Sequence, residues 1–596
     1  MGASTRVPIE DYGLLGDTRT AALVSSGGAI DWLCVPRFDG ASVFGALVGG
    51  PDAGTFRMGP TRPAPVVERR YRGHCATLET TWALDESRLT LTETMIADVS
   101  GRLLPSLLLV RRLSVVGAAV EAAVEFDPRL GEDHRRPRVS QRPADTVCEW
   151  GSLAMSLTCQ PDLGIVPGEP LAVMISPGHP LTVVLTLAYH EPLIHVDPDV
   201  AWDLALADEA RWHAWSAQID GDLPFRDVVV RSLLTLRLLT YSPSGAPVAA
   251  PTTSLPEYPG GLRNWDYRFA WPRDASIGVA AFLAVGKLAE ATSFLGWLLH
   301  ASRLQRPRLP ALFTVDGRHV PVERTLDGWP GYADSAPVRP GNGAADQHQL
   351  DGYGWVLDAA WILVAAGHRL YSETWRTMRS FADFVTRHWA EPDAGIWEIR
   401  ADAAHHVHSK VMAWLALDRA LRIARTHRCS ARQRDRWTRA RDAVAAQVRD
   451  QGFSLELGSY TRTYGSTDLD AALLILPLVG IEPADSVRMR GTLDAIRGAL
   501  SAGGPLLYRY PPGQDGIPGT EGAFVPCSFW LVQALAITGR VEEATELFHD
   551  LLELASPLGL FAEEIDPATG AHLGNFPQAL SHAALVQAAL ALRQAS

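Results

Sequence analysis

The sequence predicts an antiparallel β-sandwich, a helical linker and a C-terminal (α/α)6 barrel. Patterns typical of strands fill about the first 200 residues, and patterns typical of helices run from about residue 225 onward. The chain has 596 residues, more than a single hydrophobic core usually covers. These observations together indicate two domains of different class, with the helical domain the larger.

Four segments of the N-terminal part have clear strand character. Residues 88–98, 107–116, 153–160 and 181–190 are rich in β-branched side chains, and several alternate apolar with polar residues. Gly, Pro and Asp separate these segments, and no helical period of comparable strength occurs among them. An antiparallel sandwich is the simplest architecture for such strands.

A change of period marks the end of the strand-rich part. Residues 201–217 have helical spacing and predict one connecting helix, and the polar, turn-forming segment IDGDLPF follows it. We therefore predict a β-sandwich domain over residues 1–200, a helical linker over residues 201–224 and a catalytic barrel over residues 225–596.

The C-terminal part contains about twelve helical segments separated by turn-rich loops. They are predicted over residues 225–241, 273–286, 288–302, 347–366, 373–389, 406–426, 431–450, 467–479, 484–500, 523–538, 540–554 and 578–594. Six antiparallel helix pairs can close into a ring, although the helix count alone leaves an open solenoid possible. The chain has no fixed-period repeat, which weakens the solenoid alternative.

Composition restricts the class of partner. A net charge of −13 argues against nucleic acid, because a phosphate backbone requires a basic face, and it is compatible with a small neutral ligand such as a carbohydrate. The six cysteines are scattered without metal-ligand spacing, so we expect a reduced set and no metal site. No leader, membrane span or nucleotide-binding motif is predicted. We expect a cytoplasmic enzyme without membrane association or cofactor.

The segment GGLRNWDYRFAWPRDAS, residues 260–276, combines aromatic and charged side chains in one loop. Trp265 and Trp271 can supply flat platforms for sugar rings, and Arg273 with Asp274 can bind pairs of hydroxyl groups. The alternative is that the charged pair only caps a helix that begins near Pro272. Capping does not account for the aromatic residues, so we favour a binding role.

Two further segments supply candidate carboxylates. In DAGIWEIR, residues 393–400, Glu398 follows Trp397, and a carboxyl group beside a large ring is desolvated and suited to act as a general acid. In the segment 559–582, Glu563 and Glu564 are adjacent. Each of these glutamates has an ordinary alternative as a solvated surface group. A glycosidase, however, needs two carboxylates that flank the scissile bond.

Other loops add candidates for substrate binding. Residues 303–346 form the longest loop, and a loop of that length in a compact domain is usually functional; it contains Trp329. Residues 508–524 contain Arg509 and Glu521. The histidines of residues 405–408 lack nearby cysteine or carboxylate partners in the sequence, which makes a metal-binding role improbable.

Seven ordered segments resemble glycoside hydrolase family 15, the glucoamylases and the bacterial trehalases related to them. They are IEDYGLLGDTRTAALVSSGGAIDWLCVPRFD, NWDYRFAWPRDAS, PVRPGNGAADQHQLDGYG, GIWEIR, HSKVMAWLALDRA, EGAFVPCSFWLVQAL and LGNFPQALSHAAL. The resemblance covers nearly the whole chain. It implies a β-sandwich joined by a helical linker to an (α/α)6 barrel, and cleavage with inversion at the anomeric carbon.

The resemblance also implies individual roles. Glu398 matches the general acid of the family and Glu563 its general base. Arg273 and Asp274 match the pair that binds the terminal glucose, and Arg509 is carried over from the family as well. Beyond the resemblance, our hypothesis has Trp271, Trp329 and Trp397 wall the glucose pocket and Glu521 contact the sugar. For inversion, the two carboxyl groups are expected to lie about 6.5–9.5 Å apart.

Substrate and reaction class are left with alternatives. The hydrolase is expected to release β-glucose from the non-reducing end of trehalose or of short α-1,4-glucans, and the sequence does not separate the two. A glycoside phosphorylase on the same barrel would replace the base with an anion-binding site, which the presence of Glu563 disfavours. A non-catalytic sugar-binding protein would be expected to have lost both Glu398 and Glu563.

Overall fold

A computed structural model describes residues 6–99, 104–143, 145–514 and 516–595 of the chain. Residues 1–5, which belong to the segment where no leader is predicted, lie outside the described residues. Among the described helices, none has the length and apolar character needed to cross a membrane. The six cysteines are unpaired, and four of them are buried.

Fifteen strands build the N-terminal part, and every pairing between them is antiparallel. The strands are β1 Gly13–Gly16, β2 Ala21–Val24, β3 Ala29–Val35, β4 Ala41–Phe44, β5 Thr55–Pro60, β6 Val66–Tyr71, β7 Leu78–Leu84, β8 Ser87–Met95, β9 Leu107–Val116, β10 Val120–Asp127, β11 Arg138–Gln141, β12 Thr146–Trp150, β13 Leu153–Gln160, β14 Leu171–Ile175 and β15 Leu181–Tyr189. One sheet has the order β1-β2-β3-β5-β10-β14 with β4 beside β3, and the other has the order β11-β12-β13-β15-β9-β8-β7-β6. The predicted sandwich is confirmed.

A fully buried arginine joins the two sheets. Arg111 of β9 donates to Glu93 Oε2 of the neighbouring β8 at 2.8 Å. It also donates across the sandwich to the backbone oxygens of Phe56 and Gly28, each at 2.6 Å. A buried charge is tolerated only when it is paired and hydrogen-bonded, so this arrangement fixes how one sheet lies on the other.

Fourteen helices are present in the described chain. They are α1 Ala46–Gly49, α2 Pro198–Ala217, α3 Arg226–Leu238, α4 Pro272–Ala284, α5 Leu288–Ala301, α6 Asp351–Ala365, α7 Ser372–His388, α8 Val407–Ile423, α9 Ala431–Gln451, α10 Leu476–Val479, α11 Val487–Leu500, α12 Val525–Ile537, α13 Val541–Leu552 and α14 Ala579–Ala595. Short two- to four-residue strands lie between the helices: β16 Thr240–Tyr241, β17 Ala246–Pro247, β18 Thr253–Pro256, β19 Asn264–Asp266, β20 Phe453–Ser454, β21 Ser459–Tyr460, β22 Ser501–Gly503, β23 Leu506–Leu507, β24 Ala523–Phe524, β25 Glu564–Ile565 and β26 His572–Leu573.

The linker helix begins earlier than predicted. Helix α2 starts at Pro198, where Asp197 accepts hydrogen bonds from two backbone N–H groups of the first turn and Pro198 occupies the first helical position. It packs on β9, β13 and β15 of the sandwich. The division at residues 200 and 224 remains a prediction, because element bounds alone do not delimit domains.

Six inner helical positions form a closed ring. Helix α4 contacts α6, α6 contacts α8, and α8 contacts a short inner position made of the 3-10 helix Ala471–Ile475 and α10. That position contacts α12, α12 contacts α14, and α14 returns to α4. Because the last helix contacts the first, the chain forms the (α/α)6 barrel and not an open solenoid. The outer positions are α3, α5, α7, α9, α11 and α13.

Burial distinguishes the inner from the outer helices. In α12, 12 of 13 residues are buried, as expected for a helix surrounded by protein on all sides. In the outer helix α9, only 6 of 21 residues are buried, and its other face is charged. The alternation of inner and outer helices makes all six inner positions point in the same direction, so their N-terminal ends meet at one face.

The long loop 303–346 connects the barrel to the sandwich. Arg324 of this loop makes a two-pronged ion pair with Glu132, and Trp329 Nε1 donates to the backbone oxygen of Glu132 at 3.0 Å. Tyr332 of the same loop donates to the backbone oxygen of Val7. The sandwich therefore holds one side of the loop whose other side approaches the N-terminal ends of the inner helices.

Loss of the arginine between the sheets should destabilise the fold strongly. We expect Arg111→Leu to lower the free energy of unfolding by about 3–5 kcal/mol, because Glu93 is left buried without its cation. Urea denaturation followed by tryptophan fluorescence measures the change. The double variant Glu93→Leu/Arg111→Leu should recover part of the loss, and a single variant as stable as the wild type would contradict the interpretation.

Candidate active site

Two adjoining pockets lie at the N-terminal ends of the inner helices. The inner pocket is lined by Ala249, Tyr267, Trp271, Arg273, Asp274, Ile396, Trp397, Glu398, Arg509, Phe524, Glu563, Gln578 and Leu580. The adjoining pocket is lined by Glu257, Arg263, Trp265, Tyr267, Asn342, Ala344, Gln347, Trp397, Glu398, Ile399, Arg400, Arg509, Tyr510 and Ile517. Glu398 belongs to both walls, whereas Glu563 belongs only to the inner pocket.

Glu398 is held by donors that converge on one of its carboxyl oxygens. Trp271 Nε1 donates to Oε1 at 2.7 Å and Gln349 Nε2 donates to the same oxygen at 3.3 Å. Arg273 Nη1 lies 3.6 Å from it. Burial raises the pKa of Glu398, and these three groups oppose the rise. Its backbone has φ of 58°, a left-handed conformation that costs a non-glycine residue about 1–3 kcal/mol.

Arg273 and Asp274 lie together on the wall of the inner pocket. Arg273 Nε donates to Asp274 Oδ1 at 2.7 Å, and Nη1 donates to the backbone oxygen of Ile396 at 2.9 Å. Helix α4 has no side-chain cap at its N-terminal residue Trp271. Asp274 stands in the first turn of α4, where its charge suits the helix dipole, and both side chains also line the inner pocket, where they can contact a ligand's hydroxyl groups.

The two adjacent glutamates point in different directions. Glu563 lines the inner pocket and accepts a hydrogen bond of 2.6 Å from Tyr267. Glu564 lies on neither pocket wall and accepts from the backbone N–H of Gly522 at 2.8 Å. Successive side chains of an extended segment face opposite sides, so only Glu563 can reach a ligand in the pocket.

Behind Glu563, three more buried carboxylates surround two arginines. Glu257, Glu521 and Glu564 bring carboxyl oxygens within 4.8 Å of one another. Arg509 Nη2 lies 3.3 Å from Glu257 and 3.6 Å from Glu564, and Arg263 Nη1 lies 3.4 Å from Glu521. Two guanidinium groups thus already lie among the three carboxyl groups, which makes the trio a poor fit for a metal ion.

Arg509 occupies a central place in this cluster, on the wall shared by both pockets. Its Nε donates to Glu521 Oε2 at 3.0 Å. Glu521 itself lies on neither pocket wall and is engaged by Arg509, so its contact with substrate stays a prediction.

Three tryptophans contribute to the pockets. Trp271 and Trp397 line the inner pocket, and the two oxygens of Asp470 accept hydrogen bonds from Trp397 Nε1. Trp265 lines the adjoining pocket, with the guanidinium groups of Arg339 and Arg400 over its ring at 4.8 and 4.3 Å. These guanidinium groups cover part of the Trp265 ring, so less of the ring is available to a sugar than the sequence segment indicated.

Trp329 lies apart from both pockets, and its role as a wall of the glucose pocket stays a prediction. Trp329 lines a separate cavity between the sandwich and the barrel, with its ring centroid 4.8 Å from that of His134. Its indole N–H is taken by the backbone oxygen of Glu132. The long loop that carries it folds toward the sandwich at this point, which the sequence does not indicate.

The sequence analysis assigned no role to several residues that line the pockets or, like Gln349, contact a residue of the pocket wall. Tyr267 lay inside a segment of interest but had no assigned role. Gln347 and Gln349 alternate in the polar run before α6, a pattern that could have identified them. Glu257 and Arg263 are separated from the other charged residues of their cluster by more than 240 positions, and no local pattern marks them.

Comparison with known proteins establishes the family of the chain. The profile of glycosyl hydrolases family 15 matches residues 224–590, and the profile described as trehalase-like, N-terminal matches residues 1–158. The chain belongs to glycosyl hydrolases family 15. It is therefore a glycoside hydrolase, and the resemblance drawn from its seven sequence segments is confirmed.

Curated relatives match over almost the whole chain. A trehalase of Mycolicibacterium smegmatis is 37% identical over 612 residues, which covers 98% of this chain and 90% of that protein. A trehalase of Thermoplasma volcanium is 32% identical over 600 residues, with 98% and 94% covered. Such similarity extends through both the sandwich and the barrel.

A solved structure shares the complete architecture. A bacterial glucoamylase complexed with acarbose superposes with a TM-score of 0.72, covering 100% of this chain and 96% of that chain. The two sequences are 14% identical, so this likeness concerns the fold alone. The arrangement of sandwich, linker and barrel is confirmed by it.

Proposed function

We propose that the enzyme hydrolyses trehalose with inversion at the anomeric carbon, using Glu398 as general acid and Glu563 as general base. One observation carries the assignment: Glu398 lies in the wall shared by both pockets, and Glu563 lies in the inner pocket only. An acid must reach the glycosidic oxygen between two sugars, whereas a base must activate water beyond the sugar being cleaved.

The choice of trehalose rests on the relatives that are named trehalases and on their coverage of nearly the full chain. A terminal glucose in the inner pocket would place its partner in the adjoining pocket, whose walls include the buried charged side chains Glu257 and Arg263. Polar walls suit a sugar rich in hydroxyl groups. Short α-1,4-glucans are the second candidate, and a cytoplasmic location with a small carbohydrate substrate belongs to the same proposal.

The bond-breaking step begins with proton donation. Arg273 and Asp274 bind the hydroxyl groups of the terminal glucose, and Trp271 and Trp397 wall its ring. Glu398 gives its proton to the glycosidic oxygen as the bond to the anomeric carbon breaks. The developing oxocarbenium ion is balanced by the ionised carboxylates around the inner pocket, and the leaving glucose keeps its α configuration.

The second half of the step needs an ionised base. Glu563 removes a proton from a water molecule, whose oxygen bonds to the anomeric carbon from the face opposite the departing oxygen. The products are one β-glucose and one α-glucose, with the proton lost by Glu398 balanced by the proton gained at Glu563. Exchange with solvent restores both groups.

The protonation of the carboxylate cluster must leave Glu563 ionised. Burial, together with the charges of Glu257 and Glu521, raises the pKa of Glu563 to about 8, while Arg509 and Tyr267 oppose the rise. Burial raises the pKa of Glu564 well above its usual range. We propose that Glu564 holds a proton, because it lies off the pocket, and that this removes one negative charge beside Glu563.

The stereochemistry of the product tests the mechanism. On trehalose, we expect the first turnovers to give α- and β-glucose in equal amounts, because only the attacked sugar is inverted. Proton NMR during the first minutes, before mutarotation, measures the ratio. Initial α-glucose alone would mean retention and would end the assignment of Glu563 as a base.

The same assay separates the substrates and the reaction classes. Faster release of glucose from maltotriose than from trehalose would favour the glucan alternative. Turnover that requires inorganic phosphate and produces glucose 1-phosphate would favour the phosphorylase alternative, against which the position of Glu563 in the inner pocket argues.

A leaving-group comparison tests the acid. Glu398→Gln keeps the shape of the side chain but removes its proton, so we expect turnover of trehalose to fall by about 10²–10⁴-fold. The loss should be smaller on 4-nitrophenyl α-glucoside, whose leaving group needs little protonation. Steady-state kinetics on both substrates measures the difference, and equal small losses would refute the role of Glu398.

A matched pair of variants tests the base. Glu563→Gln removes the only one of the two adjacent carboxylates that faces the pocket, and turnover should fall by about 10²–10⁴-fold. Glu564→Gln imitates the protonated form proposed for that residue, so its loss should be far smaller. The reverse order of the two losses would move the base to Glu564.

A further inference from the structure

We propose that Gln347 and Gln349 are positioning residues that together hold Glu398 in its reactive orientation. The inference rests on the proposed role of Glu398 as general acid, which it extends to a part of the chain outside the loop that carries this glutamate. Both glutamines precede α6, whereas Glu398 lies between α7 and α8.

The two glutamine side chains reach the same partner because they alternate along an extended segment. Side chains two positions apart in an extended segment face the same side. Gln347 Nε2 donates to the backbone oxygen of Glu398 at 3.0 Å, and Gln349 Nε2 donates to its Oε1 at 3.3 Å. Gln349 Nε2 also donates to Gln347 Oε1 at 3.1 Å, so the two amides restrain each other.

The backbone of Glu398 requires such a support. With φ of 58°, this residue is in a conformation that persists only where its surroundings enforce it. One restraint is local, because the backbone N–H of Glu398 donates to the backbone oxygen of Gly395 at 3.5 Å. The hydrogen bond from Gln347 holds the carbonyl that follows the strained φ.

The side-chain bond has a chemical consequence. Gln349 and Trp271 both donate to Oε1, an oxygen that already has its acceptor sites engaged. The transferable proton is therefore carried by Oε2. Donation to Oε1 also stabilises the carboxylate that remains after proton transfer, so Gln349 should lower the pKa of the acid as well as orient it.

A pH profile tests this assignment. Gln349→Met preserves the length and volume of the side chain but removes the donor. The acid must be protonated to work, and loss of a donor to its ionised form raises its pKa. We expect the alkaline limb of kcat/KM for trehalose to move up by about one pH unit, with a fall of about tenfold in kcat at the optimum.

Two further variants complete the experiment. Gln347→Met removes the bond to the backbone, and we expect a fall of about tenfold in kcat on trehalose with a smaller fall on 4-nitrophenyl α-glucoside. Gln451→Met, at the exposed C-terminal end of the outer helix α9, is the matched control, and its profile should equal that of the wild type.

The outcomes separate this inference from the proposed function. If Glu398→Gln retains wild-type turnover of trehalose, the acid itself is misassigned. If that variant is inactive but Gln349→Met, with an unchanged melting temperature, keeps the wild-type alkaline limb, the positioning role is overturned. A shifted limb in Gln349→Met together with an unshifted limb in Gln451→Met supports it.

Discussion

The pairing of buried charges at one face of the barrel is the interaction on which the candidate site depends. Ionised groups taken out of water are expensive unless they are paired and hydrogen-bonded. Arg509 lies against Glu257, Glu521 and Glu564, and Arg273 lies against Asp274 and Glu398. The helix ring makes this tolerable, because six N-terminal ends with their positive potential converge there. The candidate site therefore forms only when the ring of helices closes, because closure brings these N-terminal ends together.

The sequence was sufficient for the architecture because periodicity is a local property. A period near two in the first part and a helical period in the second part predict sandwich and barrel without reference to tertiary contacts. Closure of the helix ring, by contrast, is not a local property of the sequence. It depends on α14 reaching α4 across more than 290 residues. The helix count left an open solenoid possible, and the resemblance to a known family implied the closed ring. The predicted helix 347–366 began too early, because residues 347–350 precede α6. The hydrogen bonds of Gln347 and Gln349 with Glu398 are tertiary contacts that the local sequence does not reveal.

The site was predictable where chemistry is concentrated in one segment. Arg273, Asp274 and Trp271 stand within four residues, and Trp397 precedes Glu398 directly. Composition does not indicate which way a loop turns or which partners hold its side chains. The indole ring of Trp329 could serve as a platform for a sugar, but its N–H donates to the backbone oxygen of Glu132 in the sandwich. The carboxylate of Glu521 could bind a sugar hydroxyl group, but it accepts a hydrogen bond from Arg509. Glu132 is distant from Trp329 in the sequence, whereas Arg509 lies in the same loop as Glu521.

The same interdomain contact gives the sandwich a role in the site. The loop 303–346 is fixed to the sandwich through Arg324 and Trp329, and its far end supplies Asn342 and Ala344 to the adjoining pocket. Between them, Glu323 accepts hydrogen bonds from Arg400 and from the backbone of Gly343. A shift of the loop where it contacts the sandwich would therefore move the wall of the adjoining pocket through the hydrogen bonds of Glu323. None of the described residues that line the inner pocket belongs to loop 303–346, so this route from the sandwich leads to the adjoining pocket.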